Sequence, residues 1–157
     1  MTVEVERAFV AQQLPDRAGL GTGRRMRQGY VAREDEVEVR LRITEADAQL
    51  TVKAGRGLVR TEVELPLDPA QAEALWQHTV GRRLAKTRYR VPVGAHIAEV
   101  DLYEEALTGL CRIEVEFTSA AAADAFEPPS WFGVEVTGDA RWTNASLARD
   151  GRPDTAG

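Results

Sequence analysis

Polar and apolar residues alternate along most of this chain. In "VEVERAF", residues 3–9, Val3, Val5 and Phe9 fall on one side and Glu4, Glu6 and Ala8 on the other, as successive side chains of a strand do. The same period of two predicts strands over about 2–10, 26–32, 36–44, 48–54, 58–66, 84–91, 97–104, 111–118 and 133–139. Two stretches break it. In "LDPAQAEALWQHTVG", Asp68 is placed to cap a helix, Pro69 suits its first position and Gly81 its end, with Ala72, Leu75, Trp76 and Thr79 on one face. In "TSAAAADAFEPP", Thr118 or Ser119 caps a short helix that Pro128 and Pro129 stop. A last short helix is expected over Asn144 to Arg149. The residues from 150 to 157, "DGRPDTAG", have nothing apolar to bury, so they read as a disordered tail behind one domain spanning 1–149.

The polar faces are ionic. "EVRLRI" sets Arg40 and Arg42 against Val39, Leu41 and Ile43; "LTVKAG" sets Lys53 against Leu50 and Val52. "RTEVEL" carries Glu62 and Glu64, "AKTRYRV" carries Lys86 and Arg88, "EVDLY" carries Asp101, and "CRIEVEF" carries Glu114 and Glu116. Acid–x–acid occurs at 4/6, 62/64 and 114/116, and base–x–base at 40/42 and 86/88. Alternation alone fits a sheet with one solvated face. Such faces usually intersperse opposite charges, because like charges on one strand repel. Sorting by sign therefore points to faces that meet one another. A closed or nearly closed antiparallel barrel turned inside out achieves this, its charged faces lining a tunnel and its apolar faces covered from outside by helices. The expected class is mainly β, with a few helices packed on the outside.

Composition narrows the chemistry. The net charge of −5 argues against a nucleic-acid binder, and no apolar run is long enough to span a membrane. With no signal peptide read at the start, a cytoplasmic protein is expected. Cys111 is a single cysteine, and His78 and His96 are the only histidines, so disulfides, cysteine zinc sites and histidine triads fall away. The Gly-rich "LPDRAGLGTG" lacks the lysine of a P-loop. Carboxylates without histidine or cysteine are hard donors suited to Mg²⁺ or Mn²⁺. Arginine and lysine in number suit phosphate oxygens. A ligand touching both is a metal–polyphosphate complex.

These pieces together resemble the CYTH superfamily, the triphosphate tunnel metalloenzymes. "VEVERAF" resembles its N-terminal acid–x–acid–x–lysine signature. The likeness continues through "RQGYV", "VRLRI", "LTVKAG", "TEVEL", "AKTRY", "VDLY", "IEVEF", "PSWFGVEVTGDARWTN" and "SLA", over roughly residues 2 to 149. The length and the "WFGVEVT" segment look most like the short bacterial members that hydrolyse inorganic tripolyphosphate. The resemblance implies an eight-stranded antiparallel tunnel. It also implies that Glu4, Glu6, Glu114 and Glu116 bind a divalent metal with Asp101 assisting, and that Glu62 and Glu64 hold a second metal or its water. Arg40, Arg42, Lys53, Lys86, Arg88 and Arg141 would grip phosphates, with Lys86 counted among the catalytic residues beside Glu62 and Glu64. One position departs: Ala8 stands where the signature has lysine. Arg7 should face outward and so cannot substitute, while Arg25, Arg27, Arg60, Arg90 and Arg112 are other sources of charge.

The activity this implies is hydrolysis of a phosphoanhydride by metal-activated water, on tripolyphosphate or on a nucleoside or thiamine triphosphate, by a monomer or homodimer. Cyclisation of ATP, as in class IV adenylate cyclases, is the alternative within enzymes. It needs a platform for the base, for which Tyr30, Trp131 and Trp142 are candidates better suited to packing. A non-catalytic polyphosphate- or nucleotide-binding module is the alternative that Ala8 raises, and a plain solvated sheet with interacting helices is the last.

Overall fold

A computed structural model describes residues 2–55 and 58–154. The alternating segments form strands β1 (Thr2–Val10), β2 (Arg24–Glu34), β3 (Val37–Thr44), β4 (Ala48–Ala54), β5 (Val59–Leu67), β6 (Arg83–Val93), β7 (His96–Tyr103) and β8 (Cys111–Phe117). Their order is β5-β4-β3-β2-β6-β7-β8-β1, and β1 also pairs with β5, closing the sheet into an antiparallel barrel. A short ninth strand, β9 (Val134–Glu135), adds to β1 at Phe9 and Val10. It is shorter than the 133–139 expected, because the chain turns at Gly138 and tightens into a 3-10 turn over Ala140–Trp142.

Closure assigns each face. Odd-numbered residues of β1 and β8 point out, where Val5, Phe9, Cys111, Ile113, Val115 and Phe117 join Ala98, Val100 and Leu102 of β7 in one buried cluster. Each fully buried aliphatic side chain there contributes about 1.5–3 kcal/mol. Helix α2 (Ala120–Ala125), capped by the Ser119 hydroxyl, covers this cluster through Ala123. Phe126 then packs between Phe117 and Phe132. Arg7 faces outward as expected: its guanidinium donates to the carbonyls of Ala123 and Phe126 and pairs with Glu135. Helix α1 (Pro69–Trp76) has a capping box of Asp68 and Gln71. It ends earlier than the pattern implied, giving way to a 3-10 turn over Gln77–Thr79. That turn lands on β2 where Gly29 leaves room; a methyl there would lie 2.7 Å from the Thr79 side chain.

The third helix departs from the expectation that helices coat the outside. Helix α3 (Asn144–Asp150) is capped by Thr143. Its Leu147 and the preceding Trp142 pack with Ala8, Val10, Leu84, Tyr103 and Leu110, on the inward face of the strands. An apolar plug therefore stops one end of the barrel. Asp150, expected in the tail, closes this helix and pairs with Arg149. Residues 151–154 follow without helix or strand, and the expectation of disorder at 155–157 lies outside the described residues. Among the described residues, no helix is long and apolar enough to cross a membrane.

Candidate active site

Barrel closure turns the sequence's ionic rows into walls. A cavity of about 490 Å³ is lined by Glu4, Glu6, Glu62, Glu64, Glu114 and Glu116 and by Arg40, Arg42, Lys53 and Arg88. The strand order places the signs. In the ring, β8 lies four strands from β3, and β5 lies four strands from β6. Glu114 and Glu116 thus face Arg40 and Arg42 across the channel, and Glu62 and Glu64 face Arg88.

Each wall strains against itself. Glu6 sits opposite Glu116 in the β1–β8 ladder, and Glu99 opposite Glu114 in the β7–β8 ladder. The charge of Glu114, then burial, pushes the Glu6 carboxyl up to about 7, and Glu6 Oε2 is buried without a partner. Burial first, then a hydrogen bond shared with Glu62, pushes Glu4 up to about 8. On the basic wall, burial and then the Arg40 and Arg88 charges push Arg42 down to about 10. The Nε atoms of Arg40, Arg42, Arg60 and Arg112 are buried and unpartnered. Unmet donors and acceptors of this kind are costly unless a ligand or water completes them.

Lys53 reaches the acid wall from β4. Its Nζ lies 3.1 Å from Glu4 Oε2 and 3.4 Å from Glu62 Oε2. Burial opposes ionisation of Glu62, but hydrogen bonds from Glu4 and Glu64 and the Lys53 charge bring it down to about 2. The hydrogen bonds within the Glu4–Glu62–Glu64 cluster push Glu62 down and its two neighbours up.

Three expected site residues lie elsewhere. Lys86 is fully buried and Asp101 nearly so, and neither lines the cavity. Lys86 Nζ donates to Asp101 Oδ2 at 2.6 Å, while Arg88 donates to both carboxylate oxygens at 2.7 and 2.8 Å. Burial alone would raise Asp101, but the Arg88 and Lys86 charges pull it to about 2. Two cations thus engage both of its oxygens, and the fork from Asp101 holds Arg88 in place. Arg141 is exposed and forks onto Asp139 two residues away. It borders a shallower hollow that shares Arg33, Asp35 and Ala140 with the main cavity.

Other residues join the lining. Arg60, paired with Glu38 at 3.4 Å, and Arg112, paired with Glu114, both face the cavity, as do Arg90 and Glu99. The signal was present: Arg60-x-Glu62 and Arg112-x-Glu114 extend the charged rows by one alternation. Among the residues proposed as a base platform, Tyr30 lines the cavity with a buried, unpartnered hydroxyl. Trp142 lies in the plug, and Trp131 packs edge-on against Phe132.

The donor set fits a divalent cation. It is all oxygen, it carries uncompensated like charges, and Glu6 offers an orphaned oxygen. As the side chains stand, among the described residues no three acid groups already form a metal-ligand cluster.

A closed barrel with an acid wall facing a basic one defines a triphosphate-tunnel protein, and comparison with known proteins agrees. No family model matches the chain. An inorganic triphosphatase from Nitrosomonas europaea is 43% identical over 148 residues, covering 92% of this chain and 96% of that protein. Another, from Acetivibrio thermocellus, is 30% identical over 152 residues, covering 96% of each. The crystal structure of an inorganic triphosphatase superposes with a TM-score of 0.70 at 38% identity, covering 98% of this chain and 99% of that one. A conserved hypothetical protein from Pyrococcus furiosus shares the fold, with a TM-score of 0.59 at 18% identity over 78% of this chain and 83% of its own. The chain belongs to the inorganic triphosphatases of the CYTH superfamily.

Proposed function

We propose that this protein hydrolyses inorganic tripolyphosphate to pyrophosphate and orthophosphate, with a divalent cation as cofactor. The observation that carries the reading is the pairing of opposed walls: Arg40 and Arg42 across from Glu114 and Glu116, and Arg88 across from Glu62 and Glu64. Metal-bound polyphosphate supplies both charges at once and relieves the strain on both sides.

Arg40, Arg42 and Arg88 hold the phosphate chain in line, Arg88 being fixed by its fork to Asp101. Mg²⁺ or Mn²⁺, held by Glu4, Glu6, Glu114 and Glu116 with a second ion near Glu62 and Glu64, supplies neutralisation of phosphate charge and a water of lowered pKa. Glu62, on the cavity wall beside Lys53, orients the water that attacks the terminal phosphorus, and the water's proton passes to a phosphate oxygen or to solvent. The P–O bond to the leaving pyrophosphate breaks, and the basic wall stabilises the released charge. No protein nucleophile is needed.

The lining favours a bare phosphate chain over a nucleotide: the aromatic residue it offers, Tyr30, is buried among the arginines and not displayed as a stacking platform. Phosphate release from tripolyphosphate, ATP, thiamine triphosphate and pyrophosphate, each with Mg²⁺ and with Mn²⁺, tests the reading. The expected result is metal-dependent release with tripolyphosphate preferred. Formation of cyclic AMP from ATP, or tight binding of tripolyphosphate with no release under either metal, would overturn it.

A further inference from the structure

Near the plugged end of the barrel, Ala8 and Arg112 face the same space. Ala8 is paired with Glu114 across the β1–β8 ladder, and Arg112 precedes Glu114 by one alternation on that inner face. Ala8, which borders the apolar plug on one side, contributes a single methyl group to the cavity wall that Arg112 and Glu114 also line. Arg112 is only 6% exposed. It donates one N–H to Glu114, while its Nε has no partner. A guanidinium carries five donors in a planar fork, so the buried Nε–H is available to an anion beside it.

The position of Arg112 in the ring is informative. Its strand lies opposite β3, so its guanidinium stands on the acid wall, across from Arg40 and Arg42. All three bear on the Tyr30 hydroxyl, which burial and the Glu38 charge hold in its protonated form against their pull. Two other cations of the cavity are more fully occupied. Arg88 is forked onto Asp101 and paired with Glu99, and Lys53 is held between Glu4 and Glu62.

We infer that Arg112, with the space left by Ala8, forms a phosphate subsite at the closed end of the channel, gripping a phosphoryl group from the side opposite Arg40 and Arg42. It supplies from β8 the positive charge that the signature lysine would have supplied from position 8. The inference rests on the proposed triphosphatase reading and identifies a substrate-contacting residue of that site.

The experiment is a double-mutant cycle, with kcat and KM measured on tripolyphosphate with Mg²⁺ for wild type, Arg112→Leu, Arg112→Lys, Ala8→Lys and Ala8→Lys/Arg112→Leu. Arg112→Leu should lower kcat/KM by about 10- to 100-fold, the range for one charge-assisted hydrogen bond. Arg112→Lys should lose less. The double variant should recover most of the loss, because an ammonium at position 8 lies directly across from Glu114. In the wild-type background, Ala8→Lys fills the subsite and should raise KM by about threefold or more; this variant serves if Arg112→Leu does not fold. An active wild type whose Arg112→Leu form stays within about threefold of it overturns the inference alone. So does a double variant no better than Arg112→Leu, or Ala8→Lys with unchanged or improved kcat/KM. A wild type that neither binds nor hydrolyses tripolyphosphate overturns the functional reading and this subsite with it.

Discussion

Asp101 and Glu4 are both carboxylates on the inner face of the barrel, yet they meet opposite fates. Asp101 lies behind the cavity wall between Lys86 and Arg88, with both oxygens engaged and its pKa drawn to about 2. Glu4 lines the cavity beside a single shared lysine and a second glutamate, and burial drives it to about 8. The first is an ion network complete within the fold. The second is a set of like charges left for something to bind. Charge alone does not mark a site; charge that its neighbours leave uncompensated does.

The largest break in this comparison is expected from Glu4→Gln. It should lower kcat by about 10³-fold or more through loss of a metal-holding carboxylate, with the melting temperature unchanged or raised, because one of several crowded acids has been neutralised. Steady-state phosphate release and thermal melting check the two halves, and near-normal turnover would refute the assignment. Asp101→Asn should do the reverse in stability, costing about 3–5 kcal/mol by leaving two buried cations with half a partner. Denaturant unfolding measures that cost. A loss under 1 kcal/mol would show that the network is not the anchor described.

The same group sharpens the contrast through pH. Asp101 has its folded pKa depressed, from 3.8 to about 2. Its stabilisation is therefore fully present above the unfolded value and is lost as pH falls through the folded one. The amount is about 2.5 kcal/mol, so wild type should lose stability between about pH 4 and pH 2 by an increment that Asp101→Asn lacks. Equilibrium unfolding across that window, compared between the two proteins, reads it directly. The smallest effect concerns the outer coat. Burial first, then the Asp101 charge, pushes the Cys111 thiol up to about 12, so a thiol reagent at pH 8 should leave the native protein unmodified and label it only after unfolding. Fast labelling of the folded chain would contradict the packing of that face.

The alternation was legible because a strand's period of two is local, and so the inner and outer faces, the like-charge pairs and the inverted barrel all followed from it. Capping of the first helix was equally local, with Asp68 and Pro69 in sequence. Cross-strand register was not legible: nothing near Lys86 or Arg88 announces that Arg88 lies opposite Asp101, which is what removes Lys86 and Asp101 from the cavity wall. Arg141 was drawn into the expected set by its motif, though the nearby Asp139 offered a two-residue clue to its pairing. The plug of Trp142 and Leu147 depends on where the chain after β9 crosses the barrel end, a tertiary fact that short apolar spacing does not encode.

At the centre stands one channel whose opposed acid and basic walls are completed by a divalent cation and a triphosphate together. Calorimetric titration of tripolyphosphate into the chain, with and without Mg²⁺ and with Arg40→Ala and Glu4→Gln beside wild type, tests this most directly. The account predicts one triphosphate per chain, bound more tightly with Mg²⁺ than without it, and weakened by either substitution. Binding that ignores Mg²⁺ and survives both substitutions would contradict it.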